Sequence, residues 1–129
     1  MAKTNAELQQ IATQVRRDIL RMVCLAKSGH PGGSMSSTDV LTTLYFNQMN
    51  HNPATWTRDG KGQDMFILSA GHMTPVYYSV LSRSGYFPVS ELATFRQMGM
   101  ALIPYFSISL STSTSKAGGR SPRFHETIS

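Results

Sequence analysis

Cysteine is almost missing from this sequence. Cys24 stands alone, which excludes an internal disulfide and fits a reducing, cytoplasmic compartment. On a helix flank its thiol reads as a small hydrophobe. Long apolar runs are missing too: no stretch approaches the roughly 18 residues a bilayer span needs. The N-terminal MAKTNAELQQ lacks the apolar centre of a secretory signal, so no membrane partner is expected. Acidic residues are few, seven against twelve Lys and Arg, for a net charge of +5. That balance raises nucleic acid as a partner, but a nucleic-acid binder concentrates its charge on one face among aromatics. Here the basic residues are spread from Lys3 to Arg123, and only Arg16, Arg17 and Arg21 gather, on the polar side of an amphipathic helix. A solvated face is the better account; nucleic-acid binding is kept as the lesser alternative. Familiar chemical motifs are also lacking. There is no CxxC, HExxH or GxSxG, and DGKGQD at 59–64 does not have P-loop spacing.

What remains is a chain of 129 residues, 40% hydrophobic and 15% charged, the balance of one globular domain with one core. Thr4 and Glu7 have capping-box spacing. Leu8, Ile11, Ala12, Val15, Ile19, Met22, Val23 and Ala26 follow at three- and four-residue steps, predicting a helix over 5–27 that Gly29 and Pro31 stop. Ser36 and Asp39 repeat the capping spacing. They predict a second helix beginning near Ser36 with Val40, Leu41, Leu44, Tyr45 and Met49 buried. Residues 50–64 read as loop. MFIL, 65–68, is a short continuous apolar run, which predicts a strand buried on both faces. Thr74 and Pro75 read as N-cap and first residue of a third helix ending at Gly85, and a last short helix is expected over 90–98. Tyr45, Phe46, Tyr77 and Tyr78 sit at helical positions and read as core rather than as base-stacking platforms. Residues 111–129 have almost nothing to bury and read as poorly ordered.

Two loops carry histidines. Ser28, Gly29, His30, Pro31, Gly32, Gly33 and Ser34 run into a helix start. Glycines there let the backbone approach a ligand, and the first helical turn offers unpaired N–H groups and partial positive charge. The loop suits an anion, although such loops more often only turn the chain. His72 follows the expected strand and precedes a helix, with Gly71 beside it, a common ligand position in α/β proteins. The plainer reading is a histidine that caps backbone groups. The two together are not a metal site, because no third ligand is placed with them.

Taken together, KSGHPGGSMSSTDVLTTLYF, DMFILSAGHMTPVYYSVLSRSGYF and SELATFRQMG resemble the N-terminal section of transketolases, over about residues 7–99. The related deoxyxylulose-phosphate synthase group usually reads differently around the first histidine. The resemblance implies an α/β class: the N-terminal part of a thiamine-diphosphate-binding fold, helix-rich with one short strand at 65–68. Residues 1–99 would be a partial domain and 100–129 a divergent, irregular tail. It implies that His30 is catalytic, facing substrate hydroxyls and exchanging protons, with Ser28 beside it in substrate binding. It also implies that His72, with Gly71, holds the cofactor diphosphate. Implied with these are thiamine diphosphate and magnesium, sugar-phosphate substrates, a C-terminal transketolase subunit and a homo-oligomer.

The sequence departs from that family in places. Ala70 stands where a Lys or Asn is usual before the GH pair. Beyond Gly99 there is no glycine-histidine-proline segment and no GDG followed by Asn, the family's magnesium ligands. Asp59–Gly60 lacks the leading glycine and His125 lies in another context. The change to Ser-, Thr- and Arg-rich sequence after Gly99 reads as a frameshift product. The isolated chain is therefore expected to be catalytically incomplete. A non-catalytic interaction protein derived from the same domain is the alternative.

Overall fold

Thr4 begins the first helix as the capping spacing predicts. In the computed structural model, which describes residues 2–57 and 59–97, Thr4 Oγ1 accepts from Glu7 N at 3.3 Å and Glu7 Oε2 accepts from Thr4 N at 2.7 Å. Such a cap contributes about 1 kcal/mol. Helix α1 spans Asn5–Ala26 and ends where Lys27 turns left-handed at φ 50°. Its inward stripe is Ala12, Val15, Ile19 and Met22, with Asp18 buried among them.

Helix α2 spans Pro31–Thr43 and continues through a π-turn at Leu44–Gln48. The expected start near Ser36 is thus corrected by five residues. Pro31 has its φ already fixed and no N–H to leave unpaired, so it opens the helix. Ser36 sits inside and donates to Gly33 O at 3.0 Å, while Asp39 takes Arg16 Nη2 at 2.7 Å instead of capping. The buried side is also rotated from the expected one. Ser34, Thr38, Leu41, Thr42 and Tyr45 face inward and Val40 is 62% exposed. Small hydroxyl residues let α2 lie close to its neighbours, with Thr38 Oγ1 bonding back to Ser34 O at 2.9 Å.

Residues 65–68 form no helix, and among the described residues there is no strand. The expected two-sided burial is corrected as well: Met65 and Ile67 are exposed, while Leu68 is buried and Phe66 packs on the core. Burial thus alternates along the segment, inward at Phe66 and Leu68. A strand exists only as a member of a ladder, and no backbone hydrogen bond pairs 65–68 with another segment among the described residues. The loop before it is closed by a reciprocal pair, Asp64 N to Asn50 O and Asn50 N to Asp64 Oδ2, each 2.7 Å.

A 3-10 turn, Gly71–Met73, feeds helix α3, Thr74–Arg83. Thr74 is therefore the first helical residue rather than the cap, and its hydroxyl donates back to Gly71 O. The last expected helix is a 3-10 segment, Val89–Thr94. The three α-helices each pack on the other two. Val76, Tyr77, Tyr78, Val80 and Leu81 join Val15, Ile19, Met22, Leu41 and Tyr45 in one core. The aromatics assigned to the core lie there, Phe46 at its margin. Full burial of one such side chain is worth about 1.5–3 kcal/mol. Expectations for residues 98–129, His125 included, lie outside the described residues. No helix among the described residues is long and apolar enough to cross a membrane.

Candidate functional site: two histidines at converging helix starts

The folding of α1 back onto α2 and α3 brings two helix N-termini together. His30 is the N-cap residue of α2, extended at φ −119°, with no side-chain cap bond of its own. His72 lies in the turn that opens into α3. Both are exposed, and their ring centroids are 6.1 Å apart at an interplanar angle of 78°. The sequence places them 42 positions apart; the fold makes them neighbours.

Gly33 and Ser34 set this approach. A Cβ at Gly33 would lie 3.1 Å from Met73 Cγ and 3.5 Å from His72 Nε2, so the first turn of α2 rests directly against the His72 turn. Ser34 is fully buried, and its Oγ accepts from Val76 N at 3.4 Å. One hydroxyl from α2 thereby satisfies a backbone donor that the first turn of α3 leaves open. Ser34, the last residue of the loop read as suited to an anion, is here a tie between helices.

Ser28 and Gly71, the other residues assigned to the site, are exposed on the same two loops. Ser28 N closes the end of α1 on Val23 O at 3.3 Å, and Ser28 Oγ accepts from Arg96 Nη1. Gly29 supports the turn at φ 132°, a conformation L side chains rarely adopt, and a Cβ there would lie 3.1 Å from Val23 Cγ2. The loop therefore has little freedom in where it presents His30.

A neutral imidazole offers one donor and one acceptor, and the starts of two helices carry partial positive charge. The arrangement can hold an anionic group and exchange a proton beside it. Among the described residues no group of three or more His, Cys, Asp or Glu that could hold a metal ion occurs.

A third histidine, His51, went unnoticed in the sequence. Its Nε2 lies 2.7 Å from Tyr45 O and its Nδ1 3.0 Å from Tyr86 Oη. A carbonyl only accepts, so Nε2 carries the proton and Nδ1 accepts from the Tyr86 hydroxyl. Burial, with Tyr77 nearby, pushes the Tyr86 hydroxyl up to about 12, which keeps it a donor. The ring stacks on Tyr86 with centroids 5.7 Å apart. His51 is a structural clasp over the π-turn.

Residues 8–105 match the profile of the transketolase, thiamine diphosphate-binding domain. The chain is 36% identical over 105 residues to the 6-deoxy-6-sulfo-D-fructose transketolase subunit of Clostridium sp. (strain MSTE9), covering 79% of this chain and 36% of that protein. It is 37% identical over 93 residues to transketolase 1 of Escherichia coli (strain K12), covering 70% of this chain and 13% of the relative. With the transketolase of Geobacillus stearothermophilus it shares 41% identity over 90 residues, 67% of this chain and 13% of the relative. The matched region thus spans from about an eighth to about a third of these relatives. The motifs around His30 and His72 and the match over residues 8–105 agree, and the chain belongs to the transketolase thiamine diphosphate-binding domain family.

Proposed function

We propose that this chain is the N-terminal, diphosphate-side section or subunit of a transketolase, which moves a two-carbon ketol unit between sugar phosphates. The observation that carries this reading is the pairing of His30 and His72 at two helix starts. The residues present fit a diphosphate: exposed imidazoles, a glycine that admits close approach, and helix N-termini of favourable sign. They provide no three-membered set of metal-ligating side chains among the described residues.

His72 would donate to a diphosphate oxygen, with the Gly71 backbone against it. His30 would face the substrate hydroxyls, giving or taking a proton at a ring nitrogen, and Ser28 would hydrogen-bond the sugar. Thiamine diphosphate, when bound, supplies the carbanion stabilisation that transfer of a ketol unit requires. In the complete enzyme Met65–Leu68 becomes a strand of an α/β domain once other sequence provides a ladder partner. The Clostridium relative is named as a subunit, which supports completion of the site by a second polypeptide.

Titration calorimetry with thiamine diphosphate tests this function. Wild type binds, His72→Ala weakens binding about tenfold, and the isolated chain shows no turnover of xylulose 5-phosphate with ribose 5-phosphate. Equal binding by His72→Ala refutes the diphosphate site, and turnover by the chain alone refutes its catalytic incompleteness.

A second reading rests on the exposed Leu20, Leu25, Val40, Met65 and Ile67, apolar surface suited to a non-catalytic interaction role. A cooperative, strictly monomeric protein with no partner in sedimentation would count against it. Nucleic-acid binding gains no support, since Arg16 and Arg83 are engaged by Asp39 and Asp18.

A further inference from the structure

We propose that a cavity at the other end of the helix bundle from His30 and His72 binds a small carboxylate with a flat apolar body, its charge held by Arg17 and its body laid on Phe46. The cavity has a volume of about 730 Å³, within the range of small-molecule sites. Gln10, Gln14 and Arg17 stand four and three positions apart, so one face of α1 makes its polar wall. Ile11 and Phe46 give it apolar surface. Ser82 and Arg83, at the end of α3, close it. Helix α1 has 22 residues and is about 33 Å long. The cavity lies along its earlier part, whereas His30 follows its end, and α3 likewise runs from the His72 turn toward Arg83. The inference is therefore independent of the function proposed for the two histidines.

Charge selects the ligand. No Asp or Glu is among the residues that line the cavity. Arg83 is already neutralised by Asp18, and the charge of Lys3, which also lines the cavity, acts on the Glu7 carboxylate. Arg17 is exposed, and its guanidinium forms no ion pair among the described residues. One uncompensated guanidinium fits one carboxylate, which it grips through two parallel N–H groups; a phosphate dianion would ask for a second free cation. The side-chain amides of Gln10 and Gln14 add donors on the same wall. Phe46 and Ile11 pack against the core, which holds them in place, and a flat apolar group laid on them leaves water without a cost in ordering the floor.

The test uses the full chain labelled with 15N and 13C, following the Arg17 Nε–Hε and Phe46 ring resonances. Benzoate, acetate, benzyl alcohol and phenyl phosphate are titrated separately. Benzoate should move both resonances along one saturable curve, and acetate and benzyl alcohol should each bind at least tenfold more weakly. Arg17→Gln should weaken the benzoate Kd about tenfold. Arg21→Gln, the same change of charge on the same helix but outside the cavity, should leave it unchanged. The His30 and His72 rings should stay still or follow a separate curve that Arg17→Gln does not alter. Resonances that benzoate leaves unmoved, or an equal loss in Arg17→Gln and Arg21→Gln, overturn the site. Acetate binding as tightly as benzoate overturns the apolar body, and phenyl phosphate binding more tightly overturns the choice of a carboxylate.

Discussion

Asp18 and Arg83 form a two-point ion pair between α1 and α3. Arg83 Nη2 donates to Asp18 Oδ1 at 2.9 Å while Nε reaches Oδ2, which also accepts from Ser79 Oγ at 2.7 Å. The carboxylate is buried, and its hydrogen bond, aided by its charge and against the lowering effect of burial, holds the Arg83 guanidinium above its ordinary value. Removing one member leaves the other without its compensation. Arg83→Leu, which strands the buried carboxylate, is expected to cost about 3–5 kcal/mol, read as a lowered urea midpoint. A loss below about 1 kcal/mol would show that water replaces the partner.

Acid should loosen the same helices from their surface side. Backbone and side-chain hydrogen bonds from Thr4 hold the Glu7 carboxyl below its usual 4.5. The Arg16 hydrogen bond holds Asp39 below 3.8. Both groups have a folded pKa lower than the unfolded one, so their contribution is present above those values and is lost as pH falls through the folded ones. Stability should therefore decline below pH 4.5, and Glu7→Gln should flatten the upper part of that decline. Denaturant midpoints measured across this range check the sign.

Gly33→Ala separates helix stability from site geometry. Alanine within a helix gains up to about 1 kcal/mol over glycine, yet its Cβ would press on Met73 and approach His72 Nε2. The expected outcome is a melting temperature within a few degrees of wild type together with a displaced His72 imidazole resonance. An unmoved resonance would show that the α2 start does not set the His72 position.

Gly29→Ala should fail differently. At φ 132°, with Val23 Cγ2 3.1 Å from a Cβ, the substitution strains the backbone and should cost about 1–3 kcal/mol. His30, presented by that loop, should shift while His72 stays in place, which paired imidazole spectra would show.

Local features were the legible ones. Thr4 and Glu7 announced α1 because a capping box is complete within one turn of sequence. The same spacing misled at Ser36 and Asp39, since Pro31 upstream is a stronger start signal and Arg16, on another helix, claims Asp39. MFIL read as a strand because four apolar residues fit one; only the fold shows that no ladder partner lies beside it among the described residues. The His30 and His72 motifs were visible, but their 6.1 Å approach is a product of helix packing. Arg96 with Ser28, and Asp18 with Arg83, are separated by 68 and 65 positions. Neither pair leaves a periodic trace, so nothing local could have joined them.

The most direct test follows the His30 and His72 imidazole resonances of the full chain during titration with thiamine diphosphate and magnesium, and again with thiamine. The account predicts that thiamine diphosphate moves both rings, that thiamine moves neither, and that His72→Gln weakens binding about tenfold. Rings that stay still in thiamine diphosphate, or that move equally with thiamine, would contradict a diphosphate site built from these two histidines.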